Sequence, residues 1–339
     1  MKLFTCPHCT GRLYFENSLC LACQGAVLYE PIRAAFVPAE GAMPCANADA
    51  CGCNWTGEAR FGGFCLACAL NRTIPDLSIE GNRERWAGVE RAKRRVVYAL
   101  LSFDLPVGPK SAPDDETGLA FDFLADAQGQ GPGGERILTG HDNGLITLNV
   151  AEADSPARER MRVEMGEQYR TVLGHFRHEL GHYYWDRLIR DDPARLDAFR
   201  ALFGDDRADY EQALRRHYAQ GPRPDWPEHC ISAYAASHPW EDWAETWAHY
   251  LHIADTLEMA AAFRIPLDAV DTASPGPATS ADPTERMLAR WLALTEIANA
   301  INRCMGLPDL YPFVISPAIA AKLDYVRDLL SVRESAQSA

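Results

Sequence analysis

Apolar and polar positions change their period along the chain, and the changes divide it. From Asn82 onward Trp86, Val89, Ala92/Lys93, Val96 and Leu100 recur every three or four residues, which predicts a helix. Gly144 to Val150 alternates and predicts a strand. Ser155-Pro156 is a helix start, with Ser as N-cap and Pro in the first turn. The helix it opens is expected to reach about Arg190, turning Met161, Met165, Tyr169, Val172, Phe176, Leu180, Tyr183 and Leu188 inward. Further helices are predicted over 193–203, 206–219, 240–263, 283–305 and 316–332, and the Pro-rich stretches from Pro106 to Thr117 and from Asp271 to Pro283 read as loops. Residues 1–80 show no such period. They are short turns around cysteines, with brief strands predicted at Leu13-Tyr14-Phe15-Glu16 and Ala26-Val27-Leu28-Tyr29.

Composition narrows the class. A chain of 339 residues that is 47% apolar can bury a large core and predicts two or three domains. No apolar run approaches the roughly 18 residues of a membrane span, and Cys6 arrives before a signal-peptide stretch could form. Thirty-three basic against 47 acidic residues give a net charge of −14, which opposes general binding to nucleic acid. The expectation is a soluble, cytoplasmic protein without membrane or nucleic-acid partners. One local exception is the basic run Arg91, Lys93, Arg94 and Arg95, which reads as a solvated helix face.

The cysteines are crowded: nine of eleven precede residue 69. In a reducing compartment, paired C-x-x-C knuckles read as metal ligands rather than disulfides. Cys6, Cys9, Cys20 and Cys23 form C-x2-C-x10-C-x2-C, a complete tetrahedral set for structural zinc, with rubredoxin-like iron as the rival. In a second set Cys65 and Cys68 supply one knuckle, while Cys45, Cys51 and Cys53 offer three candidates for two places. Cys45 and Cys53 are favoured, because Cys53-Asn54-Trp55 leads directly into the next turn, and Cys51 is the alternative. Cys230 and Cys304 read as small buried hydrophobes.

The most specific pattern is His178-Glu179-Leu180-Gly181-His182. Histidines at i and i+4 lie on one helical face and can chelate one zinc, with Glu179 placed to activate a zinc-bound water. A catalytic site needs a third ligand. Asp186 lies about 12 Å along the helix from His178, too far to share an ion with both histidines. The ligand should therefore come from a second helix, where Glu241 and Glu245 share one face, one to bind and one to orient. His175 is a spare ligand or, by preference, a plain helix histidine. Trp185, Trp240, Trp243 and Trp247 read as core before cleft lining.

Tyr234 followed by Glu241-Asp-Trp-Ala-Glu245-Thr-Trp resembles the second motif of lethal-factor-type gluzincin metallopeptidases. That resemblance implies Glu241 as the third ligand and Tyr234 as the stabiliser of the oxyanion. A competing alignment to other gluzincins through Glu245-Thr246-Trp247-Ala248-His249-Tyr250 implies Glu245 instead. The strand from Gly144 to Val150 resembles the edge strand that pairs with an extended substrate in such enzymes. Over nearly its whole length the chain is similar to bacterial zinc-ribbon, zinc-binding metallopeptidases, through Leu70-Asn71-Arg72-Thr73-Ile74-Pro75-Asp76-Leu77, Gly140-His141-Asp142-Asn143-Gly144 and Gly174-His175-Phe176-Arg177-His178-Glu179.

The expected architecture is α+β: a zinc ribbon over 1–36, a second ribbon-like module over 37–80, a mostly helical zincin-like domain with a small sheet over 81–332, and a tail over 333–339. The expected activity is hydrolysis of peptide bonds, with one catalytic and two structural zincs and the ribbons docking a protein partner or substrate. Hydrolysis of a non-peptide amide is a weaker variant. The reading from another class is a zinc-ribbon adaptor or nucleic-acid-binding regulator with a non-catalytic peptidase-like body.

Overall fold

The computed structural model describes residues 2–126, 139–155, 158–159, 171–267 and 282–337. The chain is α+β and mostly helical, and it divides into two compact units, Met1–Tyr183 and Tyr184–Ala339. No helix among the described residues is long and apolar enough to cross a membrane.

In the first unit, β1 (Phe4–Thr5) pairs with β2 (Arg12–Leu13), and β3 (Val27–Glu30) pairs with β4 (Ala35–Pro38), both antiparallel. These strands are too short to hold themselves, so aromatic side chains join them to the rest. Phe15 and Phe4 sit 5.2 Å and 6.4 Å from Tyr98 of α1 (Asn82–Ser102), and Tyr29 sits 5.2 Å from Trp55. The Asn54 side chain donates to the Phe15 carbonyl at 2.7 Å. The two cysteine modules and α1 therefore share one core.

A four-stranded sheet follows, in the order β5 (Asn71–Thr73), β6 (Ala120–Leu124), β8 (Leu145–Asn149), β7 (Gly140–Asp142). β6 runs parallel to β5 and β8, and β7 is antiparallel to β8. β8 is thus a central strand, not the edge expected for Gly144–Val150, and β7 is the outer one among the described residues. The β7–β8 turn is Asn143-Gly144, both at positive φ (45° and 77°), as a two-residue hairpin requires. β6 is almost wholly buried: Phe121 and Phe123 pack edge-on against Phe176, while Asp122 accepts from Arg72 Nε at 2.9 Å.

The basic run on α1 is a solvated face only in part: Arg91 is exposed and Arg95 half-buried, but Lys93 and Arg94 turn inward. Lys93 is fully buried, donating to Glu90 at 2.7 Å and to Asn71, with its ammonium over the Phe121 and Phe123 rings. Arg94 is 4% exposed and points its guanidinium at Cys51 Sγ. Local charge suggested solvent, but the buried carboxylate one turn earlier draws Lys93 inward.

The helix expected from Ser155 to Arg190 does not run unbroken. Residues 156–157 and 160–170, with Met161, Met165 and Tyr169, lie outside the described residues. The helix that follows, α2 (Val172–Leu188), has its own start, where Thr171 Oγ1 accepts from Gly174 N at 2.9 Å and caps it.

In the second unit the predicted helices appear as α3 (Pro193–Phe203), α4 (Tyr210–Gln220), α5 (Pro239–Ala262), α6 (Pro283–Cys304) and α7 (Pro317–Gln337). Asp192, Asp209, His238 and Asp282 cap the first four. Most of the Asp271–Pro283 stretch lies outside the described residues. Trp243 and Trp247 of α5 are fully buried, and Cys304 is exposed rather than buried. A buried pair ties α7 to α5: Lys322 Nζ donates to Asp242 Oδ2 at 2.5 Å and to the His229 carbonyl at 2.6 Å. Burial pushes the Asp242 carboxyl up to about 6 although Lys322 pulls it down. Lys322→Met strands that carboxylate and is expected to cost about 3 kcal/mol or more. Urea unfolding followed by tryptophan fluorescence checks this, and Lys322→Met/Asp242→Leu should recover most of the loss.

Candidate metal centres

In the first ribbon the chain reverses tightly at each knuckle, Thr10 N bonding to Cys6 O at 3.0 Å and Gln24 N to Cys20 O at 2.8 Å. The reversals bring Cys6, Cys9, Cys20 and Cys23 together, with all four sulfurs within 4.8 Å of one another. Cys6 and Cys23 sulfurs are 3.8 Å apart, and those of Cys9 and Cys20 are 3.7 Å apart. Two sulfurs bound tetrahedrally at the usual zinc–sulfur length would lie about 3.8 Å apart. A disulfide would need about 2.05 Å. The donor set therefore fits a metal ion, and all eleven cysteines are free thiols.

The second module gathers Cys45, Cys53, Cys65 and Cys68 in the same way, fully buried, with Cys53 and Cys65 sulfurs 3.6 Å apart. Amides of Cys65 and Cys68 donate to the sulfurs of Cys45 and Cys65 at 3.3 Å and 3.4 Å, which favours thiolates. Burial pushes the Cys65 thiol up, while the neighbouring sulfurs, Cys45 foremost, pull Cys68 far down. Cys51 is not in this set. It donates to the Asn47 carbonyl at 3.4 Å and groups instead with Cys68 and Glu90.

On α2 the i, i+4 spacing brings His178 and His182 together with their rings edge-on and their Nε2 atoms 3.2 Å apart. Two nitrogens on one tetrahedral zinc would lie about 3.3 Å apart, so this pair also fits. Glu179, between them, is 9% exposed. His182 stacks on His141 of β7, ring centroids 6.3 Å apart. His141 Nε2 accepts from Gly144 N at 2.9 Å, and burial, with the charges of His182 and Lys110, lowers its pKa to about 3. Sequence reading gave His141 no role, although Asn143-Gly144 was a hairpin signal that would have placed it on a strand. His175, one turn before the motif, pairs with Glu152 at 2.5 Å. Asp186 pairs with Arg190 at 3.2 Å.

In the second unit, Glu241 sits in the first turn of α5 and is 1% exposed, and its Oε1 accepts from the Tyr210 hydroxyl at 2.6 Å. Glu245, one turn on, is half-buried and accepts from Ser232 Oγ at 2.7 Å. Ser232 Oγ in turn receives Ala235 N, so Glu245 braces the turn that carries Tyr234. Tyr234 is half-buried with its ring edge-on to His217, 6.0 Å away. Tyr184, near the end of α2, stacks on Trp247 at 5.2 Å. Tyr210 was missed, since its partner lies 31 residues along the chain.

Residues 82–329 match the family described as "Putative zinc-binding metallo-peptidase". The chain belongs to this family. Residues 3–79 match a zinc-ribbon domain, so the family body follows a zinc-ribbon N-terminus. Uncharacterized proteins of Mycobacterium tuberculosis and Mycobacterium bovis are 43% identical over 335 residues, covering 97% of this chain and 95% of each relative. No solved structure matches the chain significantly.

Proposed function

We propose that this zinc-binding family member is a peptidase in which His178, His182 and Glu241 hold a catalytic zinc and Glu179 is the general base. The observation that carries the reading is the His178–His182 pair, two imidazole nitrogens at metal-chelating separation on one helix with a buried carboxylate between them. Glu241 is preferred to Glu245 as third ligand because it is the buried carboxylate, whereas Glu245 is engaged with the Ser232 turn. Zinc there supplies a Lewis acid that acidifies water and polarises a carbonyl. Glu179 takes the proton of the attacking water and passes it to the departing amine. Tyr234 donates a hydrogen bond to the oxyanion, which is worth most in a site that excludes water. Cys6, Cys9, Cys20 and Cys23, and Cys45, Cys53, Cys65 and Cys68, each hold a structural zinc. The ribbons dock a protein partner or the substrate, and the free thiols suit a reducing, cytoplasmic setting.

Metal content per chain tests the assignment, measured by mass spectrometry on protein purified without added metal. Three zincs in the wild type and two in His178→Ala/His182→Ala are expected, with peptide turnover lost in the variant. Two zincs in both proteins would overturn it.

A further inference from the structure

A tyrosine that motif spacing does not single out, Tyr210, touches the proposed ligand carboxylate. Tyr210 is the first residue of α4, directly after its N-cap Asp209, whose side chain accepts from Gln212 N at 2.9 Å. Its hydroxyl donates to Glu241 Oε1 at 2.6 Å, within the range of a charge-assisted bond to carboxylate. Glu241 is 1% exposed, so a hydrogen-bond donor there offsets much of the cost of keeping it ionised.

The phenol is itself held. Its ring stands edge-on to His238 at 5.2 Å and to Trp240 at 5.9 Å. His238 does two things at once: Nδ1 accepts from Trp240 N at 3.1 Å and caps α5, while Nε2 donates to the Ala208 carbonyl at 3.0 Å. One imidazole thus fixes the start of the helix that carries Glu241 and the chain two residues before Tyr210. The donor and the acceptor are set by a common anchor, which is how a supporting residue is built to hold a ligand in one orientation.

We infer that Tyr210 is a positioning residue for the metal centre: its hydroxyl locks the Glu241 carboxylate in the rotamer that binds the ion. This rests on Glu241 being the third ligand. Losing such a partner typically costs ten- to a hundredfold in metal affinity.

The test is zinc affinity of the full-length protein, by titration against a chromophoric chelator. Tyr210→Phe keeps the ring and its packing and is expected to weaken the histidine-held zinc about ten- to a hundredfold, with the cysteine-held zincs unmoved. In a Glu241→Ala background, Tyr210→Phe should cause no further loss, because the group it positions is gone. A merely structural tyrosine would weaken zinc in both backgrounds, and that result overturns the inference. Wild-type affinity in Tyr210→Phe, with affinity lost in Glu241→Ala, also overturns it while the metal site stands. Unchanged affinity in Glu241→Ala removes Glu241 from the metal and takes the inference down with that reading.

Discussion

Glu179→Gln is expected to reduce peptide turnover by about a hundred- to ten-thousandfold, the usual contribution of a positioned general base. The zinc content should be unchanged. The substitution preserves size and hydrogen-bonding outline at a position that is 9% exposed, so α2 should still form and His178 and His182 should still meet. What is lost is the capacity to take a proton. Removing the histidines acts differently, because turnover and one zinc should disappear together. Measuring kcat on a cleaved peptide beside metal stoichiometry separates the two cases. Turnover equal to wild type in Glu179→Gln would refute the mechanism whatever the metal content.

The parts of this site that the sequence made legible are those set by short covalent spacing. An i, i+4 pair must share a helical face, and two cysteines three residues apart must meet across a tight turn, so both metal-binding patterns could be read without any tertiary knowledge. The helices of the second unit were legible for a related reason, since caps and apolar period are local signals. What failed depended on distant partners. Lys93 and Arg94 read as a wet face because nothing near them in sequence shows Asn71, Cys51 or the sheet they meet. β6 had no alternation to reveal it, being buried on both faces, and the charge of Asp122 is answered by Arg72, 50 residues earlier. The alternation of the strand beside it is a local signal, but its pairing with both β6 and β7 is not, so only the structure shows that strand to be central rather than the edge the resemblance implied. Tyr210 belongs to the same class of omission, a side chain given meaning only by Glu241.

Cys53→Ser is the second large expectation, and its effect should extend beyond one ion. Structural zinc in small domains carries about 10–16 kcal/mol of binding free energy that is also folding free energy. A serine hydroxyl does not replace a thiolate in such a set. Cys53 lies two residues before Trp55, which packs against Tyr29 and edge-on against Phe15, and these in turn meet Tyr98 of α1. Loss of the second centre should therefore loosen the shared aromatic core rather than a single loop. The expected result is one zinc fewer per chain and rapid limited proteolysis within residues 1–100, while Tyr184–Ala339 keeps its own tryptophan core. Cys51→Ser is the matched comparison. Its sulfur lies outside the four-sulfur group, bonded to the Asn47 carbonyl beneath Arg94, so the zinc count should hold. A Cys51→Ser protein that loses zinc, beside a Cys53→Ser protein that keeps it, would move the ligand from Cys53 to Cys51.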